Sequence, residues 1–278
     1  MSFYSLGGTS SANFYVRQRG GGKPVLFIHG YPFDSSMWEP LFPFFPDSYR
    51  LIAPDLRGLG KSPLPQNTGL TNASISTMEM FADDMAALLD AMDVKEPVTF
   101  CGLSMGGYIA MHFAAKYPDR LSALILCGTK TAADLPNAAE NRRKQAAGLR
   151  AGTMTLGNVA DAMLPKLLSP ATQSGNLPVV NAVRSMIESN NPQGAAAATL
   201  GMAQRTDTTE VLRQLNVPVA AIGGRDDLFV PPGEMQTLAD TAKCGTFTEI
   251  ADAGHLPPVE QPQQFAKAVT VLLGKVTG

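Results

Sequence analysis

Along the first half of the chain, short apolar runs alternate with longer segments whose apolar residues recur every three or four positions. Residues 12–17 (Ala-Asn-Phe-Tyr-Val-Arg) follow a two-residue period, which predicts an opening antiparallel strand. Pro24 to Ile28 is a β-branched and aromatic run that stops at His29-Gly30. Leu51-Ile52-Ala53 repeats the pattern before Pro54-Asp55. Such runs read as strands buried on both faces. From about Ile75 to Met92, the residues Met78, Phe81, Met85, Leu88, Leu89 and Met92 share one helical face. Val98 to Cys101 predicts another strand, Met105 to Lys116 a helix, and Leu121 to Cys127 a further buried strand.

Strand, helix and strand at this spacing form βαβ units, which require a mostly parallel, doubly wound sheet covered on both faces. The alternation stops between about Thr129 and Gln214. There the chain is Ala-rich with Asn and Gly punctuation, and helical patterns run over Val159 to Leu168 and Val179 to Ser189. Strand patterning resumes at Val217 to Ile222 and at Gly245 to Ile250, and a last helix spans roughly Pro262 to Leu273. The simplest α/β architecture is one sheet built from 1–128 and 215–278, with 129–214 inserted as a helical cap after the sixth strand. Two independent domains would leave the last strands without partners. No internal repeat is visible, although Ala195 to Ala198 is locally biased.

Composition narrows the class. Apolar residues make up 45% and charged residues 17% of the 278, which suits a globular protein and excludes a disordered one. With 22 basic and 24 acidic side chains the net charge is −2, and no basic stripe is present to hold a phosphate backbone, so no nucleic-acid partner is expected. Cys101, Cys127 and Cys244 are widely spaced and odd in number, forming neither a metal pair nor a disulfide framework. Met1 to Thr9 is polar and Gly/Ser-rich, without the basic and apolar segments of a leader. No apolar run approaches the roughly 20 residues that span a bilayer. A cytoplasmic protein with no membrane partner is expected; nothing in the pattern specifies an oligomeric state.

The candidate chemistry begins at Gly102-Leu103-Ser104-Met105-Gly106-Gly107. This G-x-S-x-G turn falls between a predicted strand and a predicted helix, where a nucleophile elbow needs small neighbours and a strained serine. Read alone it is equally a Gly/Ser turn with Ser104 as an ordinary helix cap. A serine hydroxyl needs an adjacent base, generally a histidine oriented by a carboxylate. Of the three histidines, His112 lies inside a helix and His29 ends a buried strand. His255, in Asp252-Ala253-Gly254-His255-Leu256-Pro257, follows the last strand at its carboxyl end, where open α/β sheets place their ligands. Between Ser104 and His255, Gly223-Gly224-Arg225-Asp226-Asp227-Leu228-Phe229-Val230-Pro231 offers two acids after another strand, and spacing leaves Asp226 and Asp227 both open.

These residues resemble the α/β-hydrolase superfamily over nearly the whole chain outside the cap. His29-Gly30-Tyr31-Pro32 is similar to that family's HG loop, and Asp55 to Ser62 to its D-x-R-G-x-G-x-S loop. Gly254-His255 with Glu260-Gln261-Pro262 is similar to its histidine loop. The family's acid loop, G-x-x-D-x-x-x-P, fits Gly224 and Pro231 only through Asp227. The resemblance therefore implies a triad of Ser104, Asp227 and His255, with the backbone N–H groups of Tyr31 and Met105 as oxyanion hole and His29 as scaffold. It implies a serine carboxylesterase resembling pimeloyl-carrier-protein methyl ester esterases and enol-lactonases, acting on small-molecule esters without a cofactor or metal. Lactone hydrolysis, C–C bond hydrolysis and perhydrolysis use the same triad, and a non-catalytic receptor uses the same scaffold. Within 129–214 and its edge, Arg142, Arg143, Arg184 and Arg205 are candidates to bind an acidic group. Met163, Met186 and Met202 are candidates to line an apolar pocket.

Overall fold

A computed structural model of the chain describes residues 1–6, 12–65 and 75–276. Residues 7–9 of the polar N-terminal stretch lie outside the described residues.

Eight strands form one sheet in the order β1-β2-β4-β3-β5-β6-β7-β8. They are β1 (Ser2–Ser5), β2 (Asn13–Arg19), β3 (Lys23–Ile28), β4 (Tyr49–Pro54), β5 (Val98–Leu103), β6 (Leu121–Cys127), β7 (Val219–Gly224) and β8 (Gly245–Ile250). The pairs β1/β2 and β2/β4 are antiparallel, and every other pairing is parallel. The central strands β5 and β7 are buried at every position, as the continuous apolar runs require. The edge strand β8 is buried only at its last residue, Ile250.

Helices cover both faces. On one, α1 (Met78–Ala91) packs on α2 (Met105–Lys116), which follows β5 directly. Phe100 of β5 meets Phe113 of α2 with ring centroids 5.1 Å apart. On the other, a 3-10 run over Ser35–Phe44 packs against α11 (Pro262–Leu273), and Trp38 bridges Phe27 of β3 and Phe265 of α11. That run carries Pro40 and Pro43, whose rings break the α-helical ladder and obscure its period in the sequence.

Six helices stand between β6 and β7: α3 (Pro136–Ala151), α4 (Leu156–Leu167), α5 (Pro170–Gly175), α6 (Leu177–Glu188), α7 (Pro192–Ala203) and α8 (Thr209–Gln214). Within this insertion α3 packs on α7 and α4 on α6, whereas α8 packs on α2 and on α9 (Pro232–Thr241). The alanine run 195–198 is wholly buried in α7. A Cβ added at Gly194 would collide with the Gly58 carbonyl, and one at Gly201 with the Ser76 carbonyl. Small residues are what allow this helix to lie against the loops that hold Gly58 and Ser76. Between β8 and α11 lies the single turn α10 (Pro257–Glu260). Among the described residues no helix is long and apolar enough to cross a membrane.

Candidate active site

The residues singled out in the sequence collect at the carboxyl ends of the parallel strands. Ser104 links β5 to α2 with φ 54° and ψ −112°, a positive φ that a residue with a Cβ adopts only under strain. The turn is held by Ser104 N–H donating to the Cys127 carbonyl at 2.8 Å and Thr129 Oγ1 donating to the Ser104 carbonyl at 2.9 Å. Its tightness depends on glycine: a Cβ at Gly102 would strike the Gly106 carbonyl, and one at Gly106 the Ile28 carbonyl. The Ser104 side chain makes no capping bond to α2, so the ordinary-cap reading does not describe it.

His255 and Asp227 are brought together. His255 Nδ1 lies 2.8 Å from Asp227 Oδ2, and both side chains are almost fully buried. Asp227 Oδ1 accepts from the Phe229 and Val230 amides at 2.8 and 2.9 Å, which fixes the carboxylate. Its neighbour Asp226 is half-buried, and its amide donates to the Ala253 carbonyl. Of the two acids that spacing left open, Asp227 faces the histidine. Gly128, at φ 51° just beyond β6, presents its bare Cα to this pair; a Cβ there would stand 3.0 Å from His255 Nδ1. The His255 backbone is tied to the 129–214 insertion by its N–H donating to the Leu167 carbonyl at 2.7 Å. The buried Glu260 carboxylate accepts from Gly254 N–H at 2.8 Å and from Ser169 N–H at 2.7 Å, joining the histidine loop to the end of α4.

The amides of Tyr31 and Met105 donate to no acceptor among the described residues, although both residues are buried. Buried amides are nearly always paired, so two free ones beside the elbow leave room for an incoming oxygen. His29 sits beneath them. Leu56 N–H donates to its Nε2 at 3.0 Å, which leaves Nδ1–H to donate to the Gly30 carbonyl at 2.9 Å. Burial pushes His29 below the ordinary histidine range, in keeping with the neutral ring these bonds demand. Asp55, in turn, accepts from Ser35 and from Lys61 N–H, which knits the HG and D-x-R-G loops together. His112 stays on α2 beside Glu79, with burial holding it below its usual range.

Ser104 and His255 line one cavity of about 540 Å³, together with residues of the 129–214 insertion such as Ala138 and Met163. A larger cavity of about 600 Å³ lies at the amino ends of the strands, near Lys23, Pro97 and Pro218. The first is the candidate site, because Ser104 and His255 converge on it as polar groups while the amino-end cavity lacks them. Of the candidates within 129–214, Arg142, Arg205, Met163 and Met202 line the candidate site. Arg143 pairs with Glu140 and Arg184 with Asp161 and Glu188 on the surface, and Met186 packs on the core. Sequence reasoning passed over Asp134, Tyr108 and the Lys130–Glu234 pair, joined at 2.8 Å, which also line the cavity. Lys130 follows β6 closely and was findable by the same strand-end rule; Asp134 carried no local signal. Among the described residues no group of three His, Cys, Asp or Glu side chains is placed to hold a metal ion.

The model of the alpha/beta hydrolase fold family matches residues 23–262. The chain belongs to that family. The solved structure of a thermophilic esterase from Thermogutta terrifontis, with malate bound, superposes at a TM-score of 0.92. It shares 39% identity and covers 100% of this chain and 99% of its own. The 3-oxoadipate enol-lactonase 2 of Acinetobacter baylyi is 26% identical over 90% of this chain and 88% of its own length. A pimeloyl-[acyl-carrier protein] methyl ester esterase of Methylococcus capsulatus is 28% identical over 92% and 96%. These relatives support a hydrolase.

Proposed function

We propose that this family member is a serine hydrolase of small-molecule carboxylic esters, working through an acyl-enzyme on Ser104. The observation that carries the reading is the 2.8 Å bond from buried Asp227 to His255, which lines the cavity with the strained Ser104. With Nδ1 engaged by Asp227, Nε2 is the nitrogen that takes the Ser104 proton as Oγ attacks the ester carbonyl. The Tyr31 and Met105 amides receive the oxyanion, and the N-terminus of α2 adds a favourable field. His255 returns the proton to the departing alcohol; water, activated by the same ring, then releases the acid. Asp227 holds the ring's orientation and stabilises the imidazolium.

The enol-lactonase relative supports a second reading, lactone opening, in which the leaving alkoxide remains tethered to the acyl group. Residues 129–214 are proposed as the substrate-selecting cap on a core of 1–128 and 215–278, since several of them line the cavity. A cytoplasmic setting is proposed on the strength of three unpaired thiols. Turnover of a panel of short aliphatic esters and lactones tests the function. Ester hydrolysis is expected, reduced on the order of 10⁴-fold or more in Ser104→Ala, with a fluorophosphonate labelling Ser104. Wild-type rates in Ser104→Ala would overturn the reading.

A further inference from the structure

The lining of the cavity that holds Ser104 and His255 carries an unbalanced charge. Asp134 is shared by two arginines: its Oδ2 accepts from Arg142 Nε at 2.6 Å and its Oδ1 from an Arg205 terminal nitrogen at 2.8 Å. Burial works against the Asp134 carboxylate, but Arg142 and then Arg205 outweigh it and hold it below the usual carboxylate range. Two guanidiniums on one ionised carboxylate leave one positive charge over.

The two arginines differ in what they leave free. Arg205 is locked. Its side chain is 4% exposed, its other terminal nitrogen donates to the Ala132 carbonyl, and its guanidinium lies 4.0 Å over the Tyr108 ring. Its Nε is buried without an acceptor. Arg142 is committed to Asp134 only through Nε, and its side chain is 26% exposed in the cavity. Its two terminal nitrogens have no acceptor among the described residues, and its charge is felt by the Tyr31 phenol, which lines the same cavity. A planar guanidinium held by one edge presents the other as a fork, the geometry that takes a carboxylate in two parallel bonds. Asp207, outside the cavity lining, also interacts with Arg205, so the fork left without a partner is that of Arg142, where an anion can dock with two charge-assisted bonds.

We propose that Arg142 docks a carboxylate carried by the substrate, with Asp134 and Arg205 fixing its orientation, so that half-esters of dicarboxylic acids are the preferred class. The proposal rests on the esterase reading above. Monomethyl glutarate and methyl valerate match in length and differ in that carboxylate. Wild type should favour monomethyl glutarate in kcat/KM, and Arg142→Gln should lower the ratio of the two by about tenfold or more, mainly through KM. Arg142→Lys should retain part of the ratio, because the charge stays and the fork is lost, while the exposed Arg143→Gln should leave it unchanged. Calorimetry with glutarate against glutaramide reads the same site without turnover and on wild type alone; glutarate should bind more tightly. Hydrolysis of methyl valerate with no preference for the half-ester, or equal binding of glutarate and glutaramide, would overturn the docking role and leave the esterase reading standing. If neither ester turns over while glutarate binds through Arg142, the esterase reading fails and the anion site survives.

Discussion

At the scale of single residues, Asp227 and Asp226 show how one peptide step separates a positioned carboxylate from a turn residue. Asp227 is almost fully buried, with Oδ1 on two amides and Oδ2 on His255. An amide in its place keeps the shape but presents the wrong polarity to Nδ1–H, so the ring loses the tautomer that can receive the Ser104 proton. Asp227→Asn should lower kcat on the order of 10⁴-fold with the fold retained. Asp226→Asn should stay within about twofold, since its half-buried side chain faces no catalytic group. Steady-state kinetics on one ester compares the two directly, and equal losses would contradict the assignment. Local turn chemistry left the two aspartates alike; the resemblance to the family's acid loop singled out Asp227, and the fold sets that carboxylate against His255.

At the scale of elements, the histidine loop after β8 is not free-standing. Glu260 in α10 ties Gly254 to Ser169, and the His255 amide reaches Leu167 at the end of α4. The His255 loop and the 129–214 insertion are thus mechanically joined. Glu260→Ala leaves two buried amides without an acceptor and should cost about 2 kcal/mol or more, read from urea denaturation. It should also lower kcat, because His255 directly follows Gly254. Glu260→Gln keeps one acceptor and should fall between wild type and Ala. An unchanged midpoint and kcat in Glu260→Ala would refute the clamp. The sequence placed Glu260 in a motif without indicating that its partner lies 91 residues away in the insertion.

At the scale of the whole molecule, the buried neutral His29 links stability to pH. Burial lowers its pKa in the folded state, while the unfolded chain keeps an ordinary value of about 6.5. Above that pH neither state takes a proton, and the stability is fully present. As pH falls below it, the unfolded chain binds a proton that the folded ring refuses, so stability declines. The expected slope is up to about 1.4 kcal/mol per pH unit from this group. Chemical denaturation at pH 7 and pH 5 should show the decline, and His29→Gln should flatten it. A slope indifferent to that substitution would remove His29 from the account. His112, also held low by burial, contributes in the same direction.

Strand grammar, the order of elements and the elbow at Ser104 were determined by the sequence alone, because each depends on neighbours within a few residues. Hydrophobic period, strand-to-helix junction and small flanking glycines are all local signals. The short edge strand β1 and the proline-broken run Ser35–Phe44 lacked such a period and emerged only in the fold. Motif spacing had already pointed to Asp227 and to the Tyr31 and Met105 amides, whereas tertiary structure alone decided that Glu260 and the His255 amide are tied to Ser169 and Leu167 of the 129–214 insertion. It also sorted the four arginines, sending Arg143 and Arg184 to surface pairs and Arg142 and Arg205 to one carboxylate in the cavity. Those outcomes depend on contacts between segments tens of residues apart, whose geometry no local spacing encodes.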